Sequence, residues 1–169
     1  MKKLLILFLL IAILTLGMTA VQAAEDYYYN RIDRVFDWGT STTKVIINLG
    51  EEIDNEMLVW NSFEVHVKRS DSRLEDSFLE EGLRKVEAAY ASNSEGEKMD
   101  SGKFVTLELE VGPRISLDSA LNYVHEQGGN RWIDADYRIT QLKDIETENE
   151  TISGIEVTEL NKTFRPQIK

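Results

Sequence analysis

Short segments in which apolar and polar residues alternate, each closed off by a turn signal, constrain this chain more than any other feature. Lys44-Val45-Ile46-Ile47-Asn48-Leu49 runs into Gly50, and Phe63-Glu64-Val65-His66-Val67-Lys68 alternates without a break. Val105, Leu107, Leu109 and Val111 are separated by Thr106, Glu108 and Glu110, between a turn at Asp100-Ser101-Gly102 and another at Gly112-Pro113. Asp136-Tyr137-Arg138-Ile139-Thr140 is the fourth. A period of two puts every second side chain on one face of a strand, so each segment predicts a strand with one buried and one solvated face. The inward sets are Val45, Ile47 and Leu49; Phe63, Val65 and Val67; the odd positions from Val105 to Val111; and Tyr137 with Ile139. Gly50 is read as the end of its strand.

Weaker alternation over Ile32 to Phe36, Lys85 to Ala91 and Ile155 to Leu160 brings the expected total to about seven strands. With two prolines and no long helical pattern, this describes an all-β fold, an immunoglobulin-like sandwich of two antiparallel sheets, better than any α/β arrangement. Leu74 to Glu81 and Ser116 to Val124 are expected as helical turns across the ends of the sandwich, Ser116 capping the second. The polar loop Ser92 to Gly102 is expected to be the most mobile. The chain has no cysteine, which excludes disulfides, thiolate metal sites, a cysteine nucleophile and a lipid-modified N-terminal cysteine. The core is held by packing.

The N-terminus reads as a signal peptide: Met1-Lys2-Lys3, an apolar run from Leu4 to Leu16, and Val21-Gln22-Ala23 before a cleavage site. A membrane-spanning helix wants about 20 strongly apolar residues, and Gly17, Thr19 and Gln22 dilute this one. Cleavage after Ala23 leaves residues 24–169 as a single domain that is secreted or otherwise extracytoplasmic, with no membrane attachment. Losing Lys2 and Lys3 leaves 17 basic against 30 acidic residues, a net charge of about −13. Such a surface repels nucleic acid, whose phosphates are bound by clustered Lys and Arg.

The search for chemistry finds little. There is no Gly-x-Ser-x-Gly elbow, no His-Glu-x-x-His, no Walker loop and no dinucleotide fingerprint, so neither a catalytic centre nor a cofactor is expected. His66 falls on the outward face of its strand and His125 in the Gly-rich stretch before Asn130. Asp134 and Asp136 share a strand face and read as a solvated acidic edge rather than a calcium site. Neither Glu80-Glu81 nor Glu108 with Glu110 makes a convincing glycosidase pair. Tyr27-Tyr28-Tyr29 reads as part of the first strand or as a partner contact. Asn149-Glu150-Thr151 and Asn161-Lys162-Thr163 match the glycosylation sequon; if the source is bacterial, as the N-terminal signal pattern suggests, the matches are accidental. Trp38, Trp60 and Trp132 each stand beside a turn signal. Tryptophan at a strand end more often plugs a core; exposed, these three are the candidate contacts for a glycan, another ligand or a partner.

Val35-Phe36-Asp37-Trp38-Gly39, followed by Thr43 to Gly50, resembles the opening of the N-terminal immunoglobulin-like domain of secreted bacterial esterases. Further similar pieces follow in order: Phe63 to Val67, Arg84-Lys85-Val86 leading to Ala89-Tyr90, Gly102 to Glu108, and Trp132 to Tyr137. Thr163-Phe164-Arg165-Pro166 looks like that domain's exit strand, so the resemblance covers about Arg31 to Pro166. In that family the domain precedes an α/β-hydrolase domain that holds the catalytic serine, histidine and acid. None of those residues has a counterpart in this sequence. The resemblance therefore implies a non-catalytic accessory or interaction role, with a secreted hydrolase domain or a second copy of the chain as partner. The alternative is an extracellular carbohydrate-binding or other ligand-binding module.

Overall fold

The computed structural model describes residues 27 to 147 and 149 to 166; the expected signal peptide lies outside them. Thirteen strands follow one another: β1 (Tyr28–Phe36), β2 (Gly39–Asp54), β3 (Phe63–Ser70), β4 (Phe78–Arg84), β5 (Val86–Ser92), β6 (Ser101–Leu109), β7 (Leu121–Val124), β8 (Gly129–Trp132), β9 (Asp134–Gln141), β10 (Ile145–Glu146), β11 (Thr151–Ile152), β12 (Glu156–Val157) and β13 (Glu159–Phe164). One sheet has the order β13-β1-β2-β6-β5 and the other β12-β9-β3-β4, while β7-β8 and β10-β11 are separate hairpins. Pairing is antiparallel throughout except where β13 runs parallel to β1. Val45, Ile47, Leu49, Ile53, Val105, Leu107 and Leu109 pack from the first sheet against Phe63, Val65, Val67, Tyr137 and Ile139 of the second. This is the immunoglobulin-like sandwich that the alternation predicts, with the expected inward sets in place except at Val111, which lies past the end of β6 and outside the core.

Several local expectations fail, each for a physical reason. Gly50 does not end its strand: it takes a positive φ of 77°, its N–H bonds the Asn48 side chain, and the pairing with β6 resumes at Ile53. A glycine bulge bends the strand here instead of stopping it. Leu74 to Glu81 is not helical, because Phe78 onward pairs along β3 and tertiary pairing overrides a weak local signal. Ser116 to Val124 holds only a 3-10 turn at Ser116–Asp118 and then β7. Ser116 caps nothing, its hydroxyl donating to Glu80 instead. The polar segment after β5 is a tight turn in which the Asn93 side chain accepts from the N–H groups of Glu95 and Glu97. Gly96 of that turn lies against Ile46, which explains why Ile46 is fully buried on the outward face.

The interior also contains charge. A register shift between Ile32 and Asp33 makes Thr43 an extra residue on β2, so Thr42 pairs with Asp33. Arg31 and Asp33, two apart on β1, both face the opposite sheet, and Arg31 is 2% exposed. Arg31 donates to the Ala135 carbonyl at 3.0 Å and to Asp33 at 3.3 Å, and the Thr42 hydroxyl donates to Asp33 at 2.8 Å. Arg84 donates to the Tyr137 hydroxyl at 3.1 Å and to the carbonyls of Thr42 and Glu110 at 3.2 and 2.8 Å. Nearby, Tyr29 and Tyr137 meet edge to face at 6.1 Å, and the Tyr29 hydroxyl accepts the Tyr137 N–H. Removing one partner of a buried ion pair strands the other charge, so Arg31→Met is expected to destabilise the fold by about 3–5 kcal/mol. Replacing Arg31 and Asp33 together by apolar residues is expected to cost clearly less. Urea unfolding of the two variants checks this, and equal losses would contradict it.

Candidate functional site

The end of the sandwich where β1 turns into β2 gathers most of the accessible chemistry. Phe36 pairs with Gly39, so Asp37 and Trp38 form a two-residue hairpin loop whose tip faces solvent. Trp38 is 47% exposed and stacks on Phe36, with ring centres 4.7 Å apart and planes 7° from parallel. Below it lies an open cleft of about 340 Å³, walled by Trp38, Gly39, Thr40 and Ser41 on one side and by Gly112 to Ser116, Asp118 and Ser119 on the other.

Four arginines fix the loops of this end. Arg69 pairs with Glu80 and donates to the carbonyls of Ser116 at 2.9 Å and Leu121 at 3.3 Å. Arg84 reaches the Leu117 carbonyl at 3.3 Å. Arg73 is bound to Asp71 and donates to the carbonyls of Asn122 at 2.9 Å and Gly129 at 3.0 Å, which ties down both strands of the β7-β8 hairpin. Arg165 stands 4.5 Å above the Trp132 ring and contacts Asp33 at 3.4 Å. The irregular segment from Gly112 to Arg131 is thus held by side chains of the β3-β4 region and not by a helix of its own. The hydrogen bonds from Arg73, with further support from Asn122, hold the Asp71 carboxyl well below the usual carboxylate range against the opposing effect of burial.

The three tryptophans do not plug the core. Trp38 faces the cleft end, and Trp60 is 60% exposed in the loop after the 3-10 turn Asn55–Met57. Trp132 is half-buried under Arg165. Trp60 lies at the opposite end of the sandwich with Met57, Val59 and Leu142, all four largely exposed, and the Leu142 N–H bonds the Ser62 carbonyl to draw the two segments together. An indole at a hairpin tip or in a loop has no second sheet to cover it, which is why the strand-end expectation fails here.

Other titratable groups are engaged structurally. On the outer face of the first sheet Lys44 donates to the Tyr90 hydroxyl at 2.6 Å, and Tyr90 donates to Glu108 at 2.9 Å. Burial pushes the Tyr90 phenol up, the opposite of what a tyrosine nucleophile requires. His66 sits opposite Leu83 and Arg138 in its sheet, and His125 packs beside Tyr123 with ring centres 6.4 Å apart. Asp134 and Asp136 are exposed, Asp136 lying across from Lys68. No group of three or more histidine or acidic residues suited to a metal ion occurs among the described residues. Sequence reasoning missed the buried arginines and the cleft. The signal for Arg31 was its place in the inward register with Tyr29, whereas the cleft is made by loops that carry no period.

Fold and site define an immunoglobulin-like β-sandwich whose distinctive features are loops and aromatic side chains at its two ends. Residues 28–154 match the family described as the esterase Ig-like N-terminal domain, and the chain belongs to that family. Among solved structures it is similar to one titled "Crystal Structure of a Thermostable Esterase", with 23% identity and a TM-score of 0.66. The match covers 82% of this chain and 35% of that one, so the chain spans about a third of the esterase's length. No curated protein matches it.

Asp71 binds protons less readily folded than unfolded, so its contribution to stability is present above the ordinary carboxylate pKa of about 3.9 and is lost as pH falls toward the depressed folded value. Asp71→Asn is therefore expected to lower the melting temperature at pH 7 and to flatten its fall between pH 5 and 2. Thermal unfolding across that range is the check, and an unchanged pH profile would contradict the assignment.

Proposed function

We propose that this chain is an extracytoplasmic, non-catalytic accessory domain that associates with an ester hydrolase through the apolar end of the sandwich around Trp60. Family membership over residues 28–154 carries this reading. The similar esterase continues for roughly two thirds of its length beyond the part this chain matches, which makes a hydrolase domain the partner with the strongest support.

The partner surface is argued from exposure. Met57, Val59, Trp60 and Leu142 present four large apolar side chains to water. A clustered set of that kind marks an interaction site far more often than the scattered apolar residues of an ordinary surface do. Tryptophan is also among the residues that most often dominate binding energy at interfaces. With a formal net charge of −11 for the whole chain, an apolar contact surrounded by acidic surface favours a partner that is neutral or basic at its rim.

Sedimentation of the purified chain with ester hydrolases from the same organism, and with the separately expressed catalytic domain of the similar thermostable esterase, tests the proposal. A complex is expected with at least one of them. Trp60→Ala should weaken it by at least about tenfold, in the range of interface hot spots, while Tyr123→Ala at the other end leaves it unchanged. Absence of any complex would overturn the accessory reading; a complex indifferent to Trp60→Ala would overturn the surface assignment.

A further inference from the structure

We infer that the cleft beneath Trp38 is a binding site for a neutral sugar. This does not rest on the accessory role, because it uses residues at the opposite end of the sandwich from Trp60.

The cleft is built as a site rather than left as a gap between loops. Its volume, about 340 Å³, lies at the small end of the range for ligand pockets. Thr40 and Ser41 line it, are 3% and 1% exposed, and make no side-chain hydrogen bond among the described residues. Neither hydroxyl is sealed away without a partner; as neighbours on β2 the two point to opposite faces of the strand, and we assign the Thr40 hydroxyl to the cleft. Asp118, also 3% exposed, has one recorded contact, accepting the Gly112 N–H at 2.9 Å. It has no ion-pair partner among the described residues. A carboxylate has room for about four hydrogen bonds, and one held this far from bulk water with a single donor leaves acceptor capacity facing the cleft. Arg114, which also lines the cleft and is exposed, forms no ion pair among the described residues either. Trp38 adds a flat apolar surface whose orientation is fixed by its stack on Phe36.

The mixture selects the ligand class. A pyranose ring has an apolar face of C–H groups and an edge of hydroxyls, each both donor and acceptor. It needs a flat aromatic surface together with acceptor-only, donor-only and adaptable hydroxyl partners within one ring's width. Trp38, Asp118, Arg114 and the Thr40 hydroxyl supply these in turn. An acyl chain would leave the hydroxyl and the carboxylate unpaired in a desolvated cleft. An anionic ligand would gain Arg114 but meet Asp118 and an acidic protein, so an uncharged sugar fits better than a uronic acid.

Isothermal titration of the purified protein with glucose, galactose, N-acetylglucosamine, cellobiose and galacturonic acid decides the matter. At least one neutral sugar is expected to bind with a Kd of about 1 mM or tighter, the level at which the binding free energy is about −4 kcal/mol. Trp38→Ala and the nearly isosteric Thr40→Val should each weaken that affinity severalfold, Trp60→Ala should not change it, and galacturonic acid should bind more weakly than galactose. No binding by any neutral sugar at tens of millimolar, or binding that survives Trp38→Ala intact, would overturn the inference. Thermal unfolding of each variant confirms that the compared proteins are folded, and sedimentation with the hydrolases, run in parallel, reports separately on the accessory role.

Discussion

The buried pair of Arg31 and Asp33 is the constraint on which the upper half of the sandwich depends. Arg31 belongs to one sheet and bonds the Ala135 carbonyl of the other, so it bridges the two layers where the apolar core gives way. Asp33 collects the Thr42 hydroxyl, Arg31 and Arg165 on a single carboxylate. Two charges removed from water are tolerated only when most of their hydrogen-bonding capacity is met; here three segments supply the partners of Asp33 and of the Arg31 Nη atoms, while Arg31 Nε stays close to Asp33 without a hydrogen bond of its own. The bulge at Thr43 makes this possible, since without it Thr42 would face away from Asp33. Apolar packing alone would hold two sheets together, but it would not fix how their loops sit at this end.

From that bridge the order spreads through the other arginines. Arg84 joins Thr42, Tyr137, Leu117 and Glu110, and thereby links both sheets to the loop that follows β6. Arg69 and Arg73 then hold the 3-10 turn and the β7-β8 hairpin by their carbonyls. A guanidinium offers five donors in a rigid plane, which suits it to gathering backbone carbonyls that no strand satisfies. In a chain without cysteine, these groups do the cross-linking that disulfides do in small extracellular domains. Among the described residues the opposite end has no such set of arginines and leaves Met57, Val59, Trp60 and Leu142 in water. One end is thus built rigid and polar around a cleft, and the other apolar and open for contact.

The sequence made the strands legible where one face is apolar and the other polar: β2, β3, β6 and β9 show the inward residues that alternation assigns, save Val111, which follows the end of β6. It failed where the period was hidden. Ile46 and Thr106 are fully buried on the outward face because the turn at Gly96 folds back over Ile46, a tertiary event with no local signature. The segment from Ile155 to Leu160 is two strands in different sheets, a crossover that a single alternating run cannot reveal. The tryptophans were legible as candidates but not as to role. Trp38 and Trp60 occupy a hairpin tip and a loop, and only three-dimensional placement separates a cleft wall from an apolar contact patch. Burial of Arg31, Arg69 and Arg84 has no local signal, because charge is ordinarily solvated and their partners lie up to 104 residues away.

The sandwich is braced at one end by arginines and carries exposed apolar side chains at the other. The chain belongs to the esterase Ig-like N-terminal domain family, and the proposal is that it acts beside an ester hydrolase. The most direct measurement is hydrolysis of short-chain and long-chain nitrophenyl esters by the purified chain, alone and mixed with hydrolases that co-sediment with it. The account predicts no turnover above the uncatalysed rate by the chain alone and an altered rate in the mixture; robust turnover by the chain alone would contradict it.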